Sequence, residues 1–304
     1  MPNPLARLRT RILNSLAFRS ALFYKLAFSL LPAFKRSPTL LDGRFSYLTL
    51  SGPKQLQMLR ASLWSLQQSS ADVPRLIIAG DRAMKNSDLA QLVKWWPAPV
   101  EIWLADELQA FSDANLPPPI ALLCRNHVYG LKAAAIMRAS LMGPMIYADT
   151  DVLWFRAPQQ LLPDPSVAGR VFLRLQEDRQ MAYDSRLLGP WPFLQGEPHY
   201  CAGVMVANGD LRPAFEQISS PEVERIYETP GQFTEQTTFA ALQRKIGIPA
   251  LEADKAYISW EDRFTLRPRI FDKPWVLRHY VGPARHLYWR DVFYLYWRRM
   301  WTKA

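Results

Sequence analysis

Only two of the 304 residues are cysteines, Cys124 and Cys201. That is too few for a disulfide framework or a four-cysteine zinc site, and a reducing compartment is the default. Histidine is scarce too, with four residues, so a site that needs an imidazole has few to choose from. No Gly-x-Gly-x-x-Gly and no P-loop sequence occurs, which removes a dinucleotide fingerprint and a phosphate cradle of that kind. There is no internal repeat. The longest charge-free run of the N-terminal segment, Leu26 to Phe34, has nine residues. A membrane-spanning helix needs roughly 20. A mid-span lysine such as Lys25 would cost about 2.5–3.5 kcal/mol, and it also breaks the uninterrupted apolar centre of a secretory signal.

The body of the chain also lacks excess charge. The formal net charge is +10, which invites a nucleic-acid partner. Its location argues otherwise. Residues 1 to 41 hold Arg7, Arg9, Arg11, Arg19, Lys25, Lys35 and Arg36 and no acid. Residues 289 to 304 hold four cations against Asp291. Residues 42 to 288 carry 26 basic and 26 acidic side chains, so nothing in the body calls for nucleic acid.

What the ends do contain is patterned. Leu5, Leu8, Ile12, Leu16, Arg19, Phe23 and Ala27 step by three or four residues and predict an amphipathic helix from Leu5 to Leu31. The C-terminal run holds Tyr288, Trp289, Phe293, Tyr294, Tyr296, Trp297 and Trp301 among arginines. Aromatic rings with Arg and Lys suit a lipid headgroup layer, so an anionic membrane surface is an expected partner. The competing reading of the C-terminal rings is a helix packed on the domain. The arginine-rich, acid-free N-terminus also has the make-up of an organelle transit peptide. Three segments result: a helical extension over 1–36, a catalytic body over 45–288 and a basic aromatic tail over 289–304. The expected location is cytoplasmic, at a membrane periphery.

Within the body, strands and helices alternate. Strands are predicted at Phe45–Leu50, Arg75–Ala79, Val100–Leu104 and Met145–Ala148, and helices at Lys54–Gln68, Ser87–Trp95 and Tyr129–Leu141. Leu116 to Pro119 reads as a loop. This order implies an α/β fold with a parallel sheet flanked by helices, whose ligands bind beyond the carboxyl ends of the strands. Asp81, Asp106 and Asp149 fall at such ends.

The sharpest chemical signal is Met145-Ile146-Tyr147-Ala148-Asp149-Thr150-Asp151. Residues i and i+2 of a strand share a face, so Asp149 and Asp151 converge if the extended geometry persists. Two carboxylates suit a hard divalent cation, Mg²⁺ or Mn²⁺, with room left for phosphate oxygens. His279 sits before the turn Val281-Gly282-Pro283 and completes an N/O ligand set. Arg125 and Lys132 lie on the approach to the same strand and could neutralise phosphate.

These motifs, spread over residues 45 to 289, resemble those of metal-dependent GT-A glycosyltransferases, closest to glycosyltransferase family 8 and its bacterial relatives. Asp149-Thr150-Asp151 resembles the DXD motif that holds the metal on the donor diphosphate. Leu131-Lys132-Ala133 resembles the helix whose lysine touches the donor. Tyr200-Cys201-Ala202-Gly203-Val204-Met205 resembles an Asn-Ala-Gly-Val-Met strand, with Cys201 in place of asparagine. Glu235-Gln236 resembles an Asp-Gln pair facing the sugar. His279-Tyr280-Val281-Gly282-Pro283-Ala284-Arg285 resembles a His-Phe-x-Gly-x-x-Lys segment, with arginine for lysine.

The resemblance implies a mixed, mostly parallel Rossmann-like sheet. It implies metal ligands Asp149, Asp151 and His279, and a donor or phosphate site drawn from Arg125, Lys132, Thr150, Gly282 and Arg285. Glu235 and Gln236 would be the catalytic pair. The donor would be a nucleoside-diphosphate sugar, most simply UDP-linked, and the acceptor a glycan or lipid-linked hydroxyl. Retention of anomeric configuration is implied by the resemblance alone.

Two other readings compete. Asp149-Thr150-Asp151-Val152 fits the first motif of a haloacid-dehalogenase-like phosphatase, with Asp149 as nucleophile and Asp151 as acid/base. The motif lies mid-chain, however, the acidic pair Glu177-Asp178 follows too soon, and His279 has no role there. A non-catalytic membrane scaffold would leave all three ligands replaceable.

Overall fold

A computed structural model describes residues 15, 19–28, 40–164, 169–260, 265, 268 and 270–302. Its main sheet has six strands in the order β3-β2-β1-β4-β7-β6. They are β1 (Leu40–Ser51), β2 (Asp72–Gly80), β3 (Val100–Trp103), β4 (Met145–Ala148), β6 (Phe172–Asp178) and β7 (His199–Asn208). The pairs β1–β2, β2–β3 and β1–β4 are parallel. The pairs β4–β7 and β6–β7 are antiparallel. A second sheet orders β5 (Val152–Trp154), β9 (Leu277–Tyr280) and β8 (Ala256–Ser259).

The parallel half follows the sequence pattern, because each strand is an apolar run and each crossover carries a helix stripe. Helix α2 (Leu56–Ser69) buries Leu59, Leu63 and Leu66 beneath the sheet, with Leu56 partly covered. Helix α3 (Asn86–Val93) adds Leu89 and Val93 to that face. The opposite face is covered by α4 (Ala105–Asn115), α5 (Pro118–Asn126), α6 (Val128–Leu141) and α9 (Thr234–Ile246). The short helices α7 (Arg212–Glu216) and α8 (Pro221–Glu228) close that layer.

Three expectations need correction. The Pro117–Pro119 run does not stay a loop: Pro118 opens α5, since a proline in the first turn gives up no intrahelical bond. Asp106 does not end a strand but lies in the first turn of α4, where an acid suits the helix dipole. The strand predicted from Phe45 begins at Leu40.

At the N-terminus, residues 19–28 form helix α1. Leu5, Leu8, Ile12 and Leu16 of the predicted stripe lie outside the described residues. Ala21 and Phe28 are buried, whereas Leu22, Phe23 and Leu26 are 57–64% exposed, so Phe23 faces outward rather than into the core. Helix α10 (Arg285–Thr302) starts inside the body, and the 288/289 boundary falls within it. Its Leu287, Tyr288, Trp289, Val292 and Leu295 are buried. Phe28 of α1 meets Trp289, and Tyr24 meets Phe293, with ring centroids 5.7 and 5.1 Å apart. Asp291 is fully buried and accepts from Arg278 and Arg290, both at 2.7 Å, and from Tyr280 at 2.6 Å. The packed-helix reading of the C-terminal rings is therefore the one seen for the first half of α10. No helix among the described residues is long and apolar enough to cross a membrane.

Candidate active site

The site forms where the large sheet hands the chain to the small one. Strand β4 is buried along its whole length, and the Asp149 amide donates to the Gly203 carbonyl of β7 at 2.8 Å. After Thr150 and Asp151 the chain leaves the large sheet as β5. There it pairs antiparallel with β9, Val152 facing His279, and the Tyr280 amide donates to the Asp151 carbonyl at 2.9 Å. Register therefore brings His279 beside the two aspartates, although 128 residues separate it from Asp151.

His279 Nε2 lies 3.4 Å from Asp151 Oδ1 and 3.9 Å from Asp149 Oδ2. Its Nδ1 lies 3.1 Å from Gln176 Oε1 and 3.8 Å from Cys201 Sγ. The glutamine oxygen can only accept, so His279 Nδ1 donates to it and Nε2 is turned toward the carboxylates, which is how an imidazole ligand is oriented. Gly203 is required for this placement. A Cβ there would sit 1.9 Å from His279 Cε1, so the ring rests on bare backbone.

The electrostatics pull the cluster together. Burial opposes the charge on Asp151, but the hydrogen bond and charge of His279, with Arg285, outweigh it and hold the carboxyl below its usual value. Burial likewise opposes protonation of His279, yet Cys201 and Asp151 push it well above the usual range. One oxygen or nitrogen from each of Asp149, Asp151 and His279 lies within 4.8 Å of the others. That donor set, two carboxylates and one imidazole, fits Mn²⁺ or Mg²⁺.

Two cations flank the acids. Arg285 Nε and Nη2 both lie 2.8 Å from Asp151 Oδ2, and its side chain is 57% exposed. Gly282 turns the chain from β9 into α10 with φ +41°, a left-handed value that favours glycine, and so delivers Arg285 to the cluster. Lys132 of α6 is buried, 3.5 Å from Asp149 Oδ1 and 3.3 Å from Glu235 Oε1. It donates to the Ala202 carbonyl at 2.8 Å. Burial works against its charge, but Asp149 and Glu235 raise its pKa above the usual lysine value. One lysine thus serves two acids. Burial pushes Glu235 up to about 7, with Lys132 opposing and Asp149 adding to the rise. Gln236 donates to the Ala182 carbonyl at 2.7 Å and accepts from the Ala202 amide at 3.4 Å.

No family model matches the chain, and no curated protein matches it in sequence. Solved structures do. Galactosyltransferase LgtC in complex with donor and acceptor sugar analogues superposes with a TM-score of 0.52 at 15% identity, over 84% of this chain and 99% of that one. The bifunctional glycosyltransferase WbbM gives 0.52 at 14% identity, over 87% of this chain but only 50% of WbbM. The fold is that of the GT-A glycosyltransferases. Asp149 and Asp151 form a DXD-like site on that fold. A dehalogenase-like phosphatase gives His279 no role, whereas here His279 packs against the aspartates.

Of the residues singled out in the sequence, Asp149, Asp151, His279, Lys132, Arg285, Glu235 and Gln236 gather here, with Thr150 buried between the two aspartates. Arg125 does not join them: its guanidinium pairs with Asp113, at 2.9 and 3.1 Å. Three contributors carried no sequence signal. Gln176 orients His279. Tyr147 donates from its buried hydroxyl to Asp149. Tyr129 is half-buried, within the field of Asp149, Lys132, Glu235 and Arg285.

Proposed function

We propose that this chain transfers a sugar from a nucleoside-diphosphate sugar, UDP-linked, to an acceptor hydroxyl. One observation carries the reading: β4, β5 and β9 deliver Asp149, Asp151 and His279 to one point with Arg285 and Lys132 on either side. Mn²⁺ or Mg²⁺ would supply Lewis-acid neutralisation of the diphosphate. Arg285 can exchange its exposed contact with Asp151 for phosphate oxygens, which its planar fork suits. Lys132 holds positive charge beneath the donor without leaving its buried seat. The acceptor oxygen forms the new bond to the anomeric carbon, the carbon–phosphate-oxygen bond breaks, and the nucleoside diphosphate departs with the electron pair and takes up the acceptor hydroxyl's proton. Glu235 and Gln236 face the ring as stabilising groups, and the family resemblance favours retention. The acceptor is a membrane-associated or cell-envelope glycan, consistent with the exposed apolar residues of α1.

The test is calorimetric titration with UDP, with and without Mn²⁺, using wild type, Asp151→Ala and the more conservative Asp151→Asn. Mn²⁺-dependent binding in wild type that both variants lose supports the reading. Equal, metal-independent binding in all three proteins refutes it. A GDP arm separates the nucleotide from the mechanism, and UDP release from a panel of UDP-sugars identifies the donor.

A further inference from the structure

Helix α6 leads into β4, and the two run in opposite directions. The Gly209 amide, just past β7, donates to the Ser140 carbonyl at 2.8 Å, which sets the end of α6 beside the start of β4. Lys132, nearer the other end of the helix, lies 3.5 Å from Asp149, just past the end of β4. The first turn of α6 therefore stands at the carboxyl edge of the sheet, above the acids. Tyr129 belongs to that turn and precedes Lys132 by three residues. The two share a helix face, with about 4.5 Å of rise between them. Helical side chains lean toward the N-terminus, which carries the Tyr129 ring outward from Lys132, toward the opening of the site.

That ring is held in place. The Tyr129 amide donates to His127 Nδ1 at 3.2 Å, which caps the helix, and the two rings lie 5.0 Å apart. The side chain is half-buried, and among the described residues its hydroxyl has no hydrogen-bond partner. The other donors around the acids are engaged. The Tyr147 hydroxyl donates to Asp149, Arg285 donates to Asp151, and Lys132 donates to the Ala202 carbonyl while facing two acids. Burial, and then the charge of Asp149, raise the Tyr129 phenol above its ordinary value against the opposing charge of Lys132. It keeps its proton near neutral pH and stays a donor.

We infer that the Tyr129 hydroxyl donates a hydrogen bond to the β-phosphate of the nucleoside diphosphate, between Lys132 on its own helix and Arg285 across the cluster. The inference deepens the transferase reading and rests on it. Lys132 also faces Glu235, which that reading sets against the sugar, so the phosphate beside Tyr129 is the one joined to the sugar. A neutral hydroxyl adds no further charge to a site that already holds two cations, and its bond to a phosphate oxygen is charge-assisted. The bond strengthens as the link to the sugar breaks and negative charge gathers on the leaving oxygen. Tyr129 is thereby a catalytic residue as well as a binding one.

The experiment compares the full chain with its Tyr129→Phe variant, which loses one oxygen and keeps the ring. Both are titrated calorimetrically in Mn²⁺ with UDP and with UMP, which lacks the β-phosphate. We expect Tyr129→Phe to weaken UDP at least about tenfold, the scale of a hydrogen bond to a charged group, and to change UMP less than about twofold. The midpoint of urea unfolding should stay where it is. Equal UDP affinity in the two proteins would overturn the assignment. An equal loss for UDP and UMP would overturn it too, by placing the hydroxyl on the nucleoside or in the fold, and so would a midpoint that falls together with the affinity. If wild type binds GDP in place of UDP, GDP and GMP make the same comparison. A wild type that binds neither diphosphate in Mn²⁺ refutes the transferase reading, and the Tyr129 assignment with it, before the variant is considered. Failure of the variant alone leaves the transferase reading standing.

Discussion

The candidate metal ligands owe their positions to small and neutral neighbours. Gly203 is the clearest, because the His279 ring occupies the space a methyl would need, with Cε1 1.9 Å from the Cβ position. Gly203→Ala must push the ring off the carboxylates or shift β7. Overpacking of this kind costs about 1–3 kcal/mol, and urea unfolding should read a loss of that size. Gln176→Leu makes the complementary test, since it keeps the volume and removes the oxygen 3.1 Å from His279 Nδ1. Loss of such an orienting partner weakens metal affinity by about 10–100-fold. Mn²⁺ titration followed by UDP binding should show that drop while the unfolding midpoint moves less than in Gly203→Ala. If Gln176→Leu binds Mn²⁺ like wild type, the glutamine does not orient the imidazole.

At the scale of elements, the strand that carries the acids was legible and the strand that brings the histidine was not. An apolar run ending in Asp-x-Asp announces itself. That Val152–Trp154 leaves one sheet to pair with Leu277–Tyr280 in another depends on register that no local pattern encodes. Helix α4 was missed because its few buried positions, Ala105, Leu108 and Ser112, make a thin stripe and its acids look like a strand end. The antiparallel course of β6 and β7 was equally hidden, since a run buried on both faces reads alike in either direction. The proposed catalytic pair shows the same dependence. Glu235 and Gln236 open α9, and that end is held by Asp184, which accepts from Thr234 Oγ1 at 2.6 Å and from Arg186 at 2.7 Å. Burial raises the Asp184 pKa, but the hydrogen bonds from Arg186 and Thr234 outweigh it and leave the carboxyl below its ordinary value. A carboxyl lowered on folding stabilises the protein above the ordinary aspartate range near pH 4, and that stability disappears as pH falls through the lower native value. Asp184→Asn should cost about 1–2 kcal/mol at pH 7, discounted for the half-exposed Arg186, and the difference from wild type should shrink toward pH 3 in urea unfolding. A pH-independent difference would mean the carboxylate charge is not what holds α9.

For the whole molecule, the +10 net charge belongs to the ends, and the C-terminal end is bound into the body. Asp291 of α10 is the carboxylate of the buried Arg278, which is 4% exposed. Cutting the chain before Trp289 would strip that partner away, and breaking a buried pair costs about 3–5 kcal/mol. Truncation of α10 therefore tests folding rather than attachment. The outward face of α1 offers a cleaner probe of attachment, because Leu22, Phe23 and Leu26 are more than half exposed. Arg19 and Lys25 stand exposed on the same helix, so the face pairs apolar side chains with positive charge, as an interfacial helix does. Phe23→Ser combined with Leu26→Ser should leave the unfolding midpoint unchanged. Each side chain is worth about 1.5–3 kcal/mol when fully buried, so binding to phosphatidylglycerol vesicles should fall about tenfold or more. Co-sedimentation reads it, and added salt should weaken wild-type binding by screening the basic residues. Equal sedimentation of the double variant and wild type would remove α1 from the membrane contact and leave the metal site, which those two side chains do not touch, to be judged on nucleotide binding alone.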